Sequence, residues 1–267
     1  MEQKLPLVKI YVVAHKATPH VGDSAVYPYI GVGPKSHEIG ADVSDDNGDN
    51  IAAKNDSYCE LTALYWIWKN DHESDISGLC HYRRFLSSSL LSVKEKHILS
   101  AKRIAKILES HDVIMPRRVH YRVPIWDKLD ATPSREHMTA VREILTDYDP
   151  EALTAFDGYF KGNATSYCNM VICRKELLDE YCAWLFPLME RIEKALPAPS
   201  KAEDPYLSRL YGFISERLLC IWVAKRIPKK RIAYAPMGER ELPFKARLRN
   251  VVFDFLNRIL FHLKPHK

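Results

Sequence analysis

"DISGLCHYRRFL", residues 75–86, reads as a buried strand that runs directly into fixed positive charge. Ile76, Gly78, Leu79 and Cys80 are apolar or small, as a core strand requires. His81, Tyr82, Arg83 and Arg84 then follow with no spacer. A strand without polar alternation is covered on both faces, which is the condition of a central strand in an α/β domain.

The flanking segments agree with that reading. Residues 7–14, LVKIYVVA, are β-branched and aromatic and end in His15-Lys16-Ala17-Thr18-Pro19, a first central strand entering a loop. Residues 18–50 carry "YIGVGP" and "SDDNGDN" and read as one short strand among loops. A long polar loop inside a compact domain is often functional. In "SYCELTALYWIWKN" the apolar positions Leu61, Leu64, Tyr65 and Trp68 fall at helical spacing, and Ser57 with Glu60 predicts a capping box.

Beyond residue 86 the alternation continues. It predicts an amphipathic helix over 93–110, a strand in "HDVIMP", an irregular basic stretch over 117–135, and a helix over 136–147. A helix over 150–160, capped by Asp149 with Pro150 first, precedes a strand in "SYCNMVICRKE" and two further helices over 176–196 and 206–226. The fold class is therefore α/β, a mixed central sheet flanked by helices. Trp66, Trp68, Trp184 and Trp222 sit at helical spacing and are expected in the core.

A chain of 267 residues, 46% hydrophobic, can bury one substantial core, so residues 1–240 are expected to form one domain and 241–267 a basic amphipathic helix. The 39 basic and 34 acidic residues leave a net charge of +5. The excess is uneven, basic over 225–267 and acidic over 38–60. That balance suits a phosphate-bearing ligand or an anionic membrane surface. Nucleic acid is not expected, because the basic residues do not interleave with aromatics in any recognised motif. Six cysteines form no CxxC pair, and the start MEQKLPLVKIYVV has no signal-peptide pattern. The expectation is a cytoplasmic chain with free thiols and no structural zinc, peripheral at most on the inner face of the cell membrane.

Polar loops after the strands of such a sheet point to a nucleotide-type ligand at the strands' C-terminal ends. There is no GxGxxG after the first strand and no GxxxxGK[ST], which weighs against dinucleotide oxidoreductases and P-loop NTPases. A nucleotide-sugar transferase remains. Many such enzymes of GT-A type hold a divalent metal on Asp-x-Asp, and the one literal match, Asp147-Tyr148-Asp149, is better explained as a helix cap. "DDNGDN" fails as a calcium loop, with Asn50 where glycine is needed and Asp56 where glutamate is needed. Mn2+ or Mg2+ is accordingly not favoured and no cofactor is expected. Arg83 and Arg84 could instead neutralise a diphosphate, since guanidinium groups bind phosphate oxygens bidentately and keep their charge. The competing reading has them pairing with surface carboxylates.

The ordered blocks "VKIYVVAHK", "DNGDNIAAKNDSYCELTALYWIWKN", "GLCHYRRF", "YCNMVICRKELLDEYCAWLF" and "YGFISERLLCIWV" resemble a glycosyltransferase family of the uncharacterised-domain type found in bacterial capsule and exopolysaccharide gene clusters. The resemblance spans residues 8 to 237 and implies a GT-A-like fold and transfer from a UDP sugar, some members being linked to galactofuranose. It carries over Asn50, Lys54, Asn55, Glu60, His81, Tyr82, Arg83, Arg84, Asn169, Glu216 and Arg217. The segment "VPIWDKLDATPSREHM" departs from the family pattern, so acceptor choice is expected to differ.

Within that frame His15, Asn50, Lys54 and Asn55, with His81 to Arg84, are the expected nucleotide and diphosphate contacts. Asn169 and Arg217 are expected at the sugar or acceptor. Inverting transfer requires a carboxylate that takes the acceptor's proton. Glu216, a charge in the otherwise apolar "GFISERLLCIWV", is the first candidate, ahead of Glu60 and Asp204. The alternative for Glu216 is a structural ion pair with Arg217 or Arg209, and for Asn55 a helix cap. In the tail, Phe244, Leu248, Val251, Val252, Phe255, Leu256, Ile259, Leu260 and Leu263 alternate with Lys245, Arg247, Arg249, Arg258 and Lys264. This is the pattern of an interfacial helix on an anionic leaflet, or of a terminal helix packed on protein. The expected partners are a UDP-sugar donor, a lipid-linked or polysaccharide acceptor and that membrane surface. A metal-dependent transferase of the same fold and a non-catalytic scaffold for polysaccharide assembly are the competing functions.

Overall fold

The computed structural model describes residues 5–89, 91, 94–129 and 132–263. The first half of the chain forms β1 (Val8–Ala14), β2 (Tyr29–Gly31), β3 (Val43–Ser44), α1 (Asn55–Tyr58), α2 (Leu61–Asn70), β4 (Ile76–His81), β5 (Arg84–Leu86), α3 (Ala101–Leu108), β6 (Val113–Pro116) and β7 (Val119–His120). The second half forms α4 (Arg135–Tyr148), α5 (Ala152–Lys161), β8 (Ala164–Thr165), β9 (Val171–Arg174), α6 (Lys175–Ala195), α7 (Leu210–Arg226), β10 (Ile232–Ala235), β11 (Met237–Glu239) and α8 (Phe244–Leu263).

The main sheet runs β10-β6-β9-β4-β1-β2-β3, with β5 and β11 attached beyond β4. β1, β2, β3 and β4 are mutually parallel along this path, while β9 lies antiparallel between β4 and β6, so the sheet is mixed. Its central strands feed two cores by simple alternation. Tyr11 and Val13 of β1, Leu79 of β4 and Val171 of β9 enter the core under α2 and α4 to α7. Ile10 and Val12, Ile76 and Cys80, and Ile172 enter the opposite core, closed by α3. Because both faces are covered, these strands read as continuous apolar runs. Gly78 is required where β4 meets β9, since a Cβ there would lie 2.2 Å from the Val171 carbonyl oxygen. Trp66 and Trp222 are buried and Trp68 and Trp184 pack against the same core.

Three local expectations are corrected. The helix expected from Ser57 is broken into α1 and α2 at Cys59, whose φ is +52°. No capping box forms there: the Ser57 hydroxyl donates to the Lys54 carbonyl, and Glu60 turns away to Asn169. The helix expected over 93–110 is only α3, because Ser100 caps it, its Oγ accepting the Arg103 N–H at 3.3 Å. A 3-10 turn at Glu95–His97 precedes it, and Val93 lies outside the described residues. The helix expected from Pro150 begins at Ala152, and the Asp149 carboxylate instead accepts from Lys225 and from the Trp184 indole. Strands β3, β10 and β11 were not legible as strands, being two to four residues long and only partly apolar.

Candidate active site

A cleft of about 550 Å³ opens at the C-terminal ends of β1 and β4. This is the position where open α/β sheets bind ligands. β1 supplies Val13 and His15, the loop after β2 supplies Val32 to Lys35, and the end of β4 supplies His81 to Arg84. From the helical side come Asn55, Cys59 and Glu60, Arg209 before α7, and Glu216 within α7. Gly33 turns the loop with φ +79°, and a Cβ there would press on the Asn55 amide at 3.0 Å. Among the described residues positive φ also occurs at three non-glycine residues, Cys59, Cys168 and Asn169, all at or beside the cleft. Such residues persist only where surrounding structure over-determines them, and they gather at functional sites.

The cleft is electropositive. Burial first, then the charges of Lys16, Arg83, Arg209 and Lys201, hold the His15 imidazole below its ordinary pKa. The turn from β4 into β5 places Arg83 and Arg84 at the rim. Arg84 donates to Glu239 at 3.1 Å, and Arg83 reaches Glu241 at 3.4 Å, the carboxylate pairing that the competing reading expects. They have carboxylate partners on and just after β11, and they line the cleft. Arg84 also keeps a buried Nε with no partner. Tyr82 is packed edge-on against His15, with Lys16 over its ring, while His81 is tied to the Cys168 carbonyl oxygen at 2.7 Å.

Two carboxylates face these cations. The Glu216 Oε1 accepts the Cys168 N–H at 2.7 Å and its Oε2 accepts from Arg217 at 2.7 Å. Burial pushes this carboxyl up to about 7 against the opposing pull of Arg217, and the neighbouring charge of Glu60 adds to the rise. Glu60 is held at one oxygen by the Asn169 amide at 2.9 Å. No described hydrogen bond engages the other.

Of the residues singled out from sequence, His15, Asn55, Glu60, His81, Tyr82, Arg83, Arg84 and Glu216 therefore come together. Four do not line the cleft. Asn50 spends its amide on Gly48 and Ala52 within its own loop. Lys54 turns to Glu193, at 2.5 Å, and to the Tyr58 ring. Asn169 is 2% exposed and donates to Glu60, Gly212 and Ser215, so it stands behind the wall. Arg217 is consumed by Glu216 and the Phe213 carbonyl. Asn55 itself donates to the Cys59 carbonyl and Thr62, acting as a clasp on α1. Lys35, Lys201 and Arg209 also line the cleft and were not singled out from sequence as candidate contacts. Isolated cations in loops carry no periodic signal.

The acidic loop resolves as structure. Asp46 pairs with His37 at 2.7 Å and Asp49 accepts from Tyr65, while Asp45 is wholly buried with neither oxygen partnered. Burial pushes Asp45 up to about 6. Among the described residues no group of three or more His, Cys, Asp or Glu side chains gathers so that it could hold a metal ion.

The architecture is that of a solved glycosyltransferase. The structure titled "WbbM bifunctional glycosytransferase apo structure" superposes with a TM-score of 0.75 at 26% identity over 88% of this chain. The chain spans 45% of that protein's length. A mannosyltransferase, Ktr4p from S. cerevisiae, matches at a TM-score of only 0.28 and 9% identity, covering 69% of this chain and 62% of that one, and carries no argument. No curated protein sequence matches. The family model described as "Domain of unknown function (DUF4422)" matches residues 9–227, and the chain belongs to that family.

Proposed function

We propose that this chain is a glycosyltransferase that moves a sugar, galactofuranose or galactose, from a UDP-sugar donor to a growing surface polysaccharide, with inversion and without a metal requirement. The observation that carries the reading is the cation-lined cleft at the C-terminal ends of β1 and β4, where Lys35, Arg83, Arg84, Lys201 and Arg209 gather, and where burial, then the charges of Lys16, Arg83, Arg209 and Lys201, depress His15. A diphosphate would relieve that mutual repulsion.

In the reaction, the acceptor hydroxyl oxygen bonds to the anomeric carbon from the face opposite the leaving group. The bond from that carbon to the diphosphate oxygen breaks, and UDP departs with the electron pair. Arg83 and Arg84 neutralise the charge that develops on the leaving oxygens. Glu216 takes the acceptor's proton, and a carboxyl whose pKa is about 7 is matched to that task. A second assignment, Glu60 as the base, is favoured by its one unengaged oxygen.

Turnover of UDP-galactofuranose and UDP-galactose by Glu216→Gln and Glu60→Gln tests both assignments. Loss in the first with retention in the second supports Glu216, and the reverse pattern supports Glu60. Full activity in both variants would remove both carboxylates from the chemistry, and no turnover by the unaltered chain would sink the catalytic reading and favour a scaffold. Activity abolished by a chelator and restored by manganese would replace the metal-free form of the proposal.

A further inference from the structure

Helix α8 is docked inside out. Its polar residues face the protein: Asp254 accepts the His120 N–H at 2.7 Å and pairs with Arg117 at 3.3 Å. Asn257 accepts from Arg122 and donates to the His120 carbonyl, and Arg247 donates to the Leu91 carbonyl. The apolar residues face outward instead. Phe244 is 54% exposed, Leu248 43%, Val252 49%, Phe255 58% and Ile259 44%. A helix packed only for its own stability would bury those side chains, each worth about 1.5–3 kcal/mol.

The charge around this face selects its occupant. Lys245, Arg249 and Arg258 are exposed, and Asp254, the sole acid of the helix, is turned inward and paired. Apart from the neutral Asn250, the described outer surface of α8 thus offers hydrocarbon and positive charge, with no acid. A second copy of the chain would set cation against cation, whereas an anionic lipid surface accepts both features. We infer that α8 lies in the plane of an anionic bilayer, with its apolar face among the acyl chains and its cations among the headgroups. At 20 residues the helix presents about 30 Å of contact. No helix among the described residues is long and apolar enough to cross the membrane, so α8 rests on it.

The placement has a consequence for the cleft. Glu241, partner of Arg83, stands three residues before Phe244, a distance the chain covers in about 10 Å at most. The start of the membrane helix is therefore tethered beside the cationic rim.

The test uses the full chain with phosphatidylcholine vesicles, with and without a minority of phosphatidylglycerol, read by cosedimentation. The chain is expected on the anionic vesicles only, more weakly as salt rises. Arg249→Gln and Arg258→Gln should each lower the partition about fivefold. Phe255→Asp should abolish it, with the thermal unfolding curve little changed because the residue is 58% exposed. UDP binding should be the same in all three variants, so failure here is separable from failure of the cleft assignment. No enrichment on anionic vesicles overturns the inference. If the chain is then a dimer that Phe255→Asp dissociates, the face belongs to a second copy. Equal partition of wild type and Phe255→Asp also overturns it.

Discussion

The Glu216 carboxylate accepts the backbone N–H of Cys168 at 2.7 Å, and Cys168 presents that N–H from a left-handed conformation with φ +76°. The bond joins α7 to the loop before β9 at the floor of the cleft. It fixes the carboxylate from one side while Arg217 fixes it from the other.

The position and pKa of Glu216 predict a pH profile. Its carboxyl titrates near 7 in the folded chain, well above the ordinary glutamate value, because burial disfavours the charged form. A base must be ionised, so turnover should rise with pH through about 7 and then level. Glu216→Gln should lower kcat about 10²–10⁴-fold and remove the rise, with UDP affinity retained.

Glu241 neutralises the cleft cation Arg83 at 3.4 Å and the neighbouring Lys16 at 3.7 Å. All three side chains are well exposed, so each pair is screened and worth about 0.5 kcal/mol. Glu241→Ala should leave the fold intact and tighten UDP binding about two- to fivefold, measured by calorimetry. Weaker binding would mean that Glu241 orients Arg83 more than it quenches it.

Asp45 predicts a stability effect remote from the chemistry. Its folded pKa, raised to about 6, exceeds its unfolded value of 3.8, so folding favours the protonated form. The stability it contributes is full below about 4 and is lost as pH rises through about 6. Asp45→Asn should therefore raise the unfolding free energy at pH 7.5 by up to about 3 kcal/mol, read from denaturant titration, and match wild type near pH 4. A destabilised variant at pH 7.5 would show that a partner satisfies this carboxylate.

The sheet's centre was legible because β1 and β4 are covered on both faces and so carry unbroken apolar runs. The cleft was legible where its residues sit at the ends of those strands, as His15 and Arg83 do. Glu216 stood out as a charge in an apolar helix. Asn169 and Lys54 were misplaced because a polar side chain near a strand end can face the ligand or brace the wall behind it, and sequence spacing does not distinguish the two. Asn169 braces Glu60, and Lys54 is drawn off by Glu193 from a helix 139 residues away. The break at Cys59 was invisible for a related reason: a non-glycine residue with positive φ is set by tertiary contacts, not by its own preference.

The most direct measurement is calorimetric titration of UDP into the purified chain in excess chelator, beside Arg83→Ala. Binding without metal that weakens about tenfold or more in the variant, the loss expected for one charge-assisted phosphate contact, is the predicted result. Binding that appears only when manganese is added, or that is indifferent to Arg83→Ala, would contradict the assignment of the cationic cleft to the diphosphate.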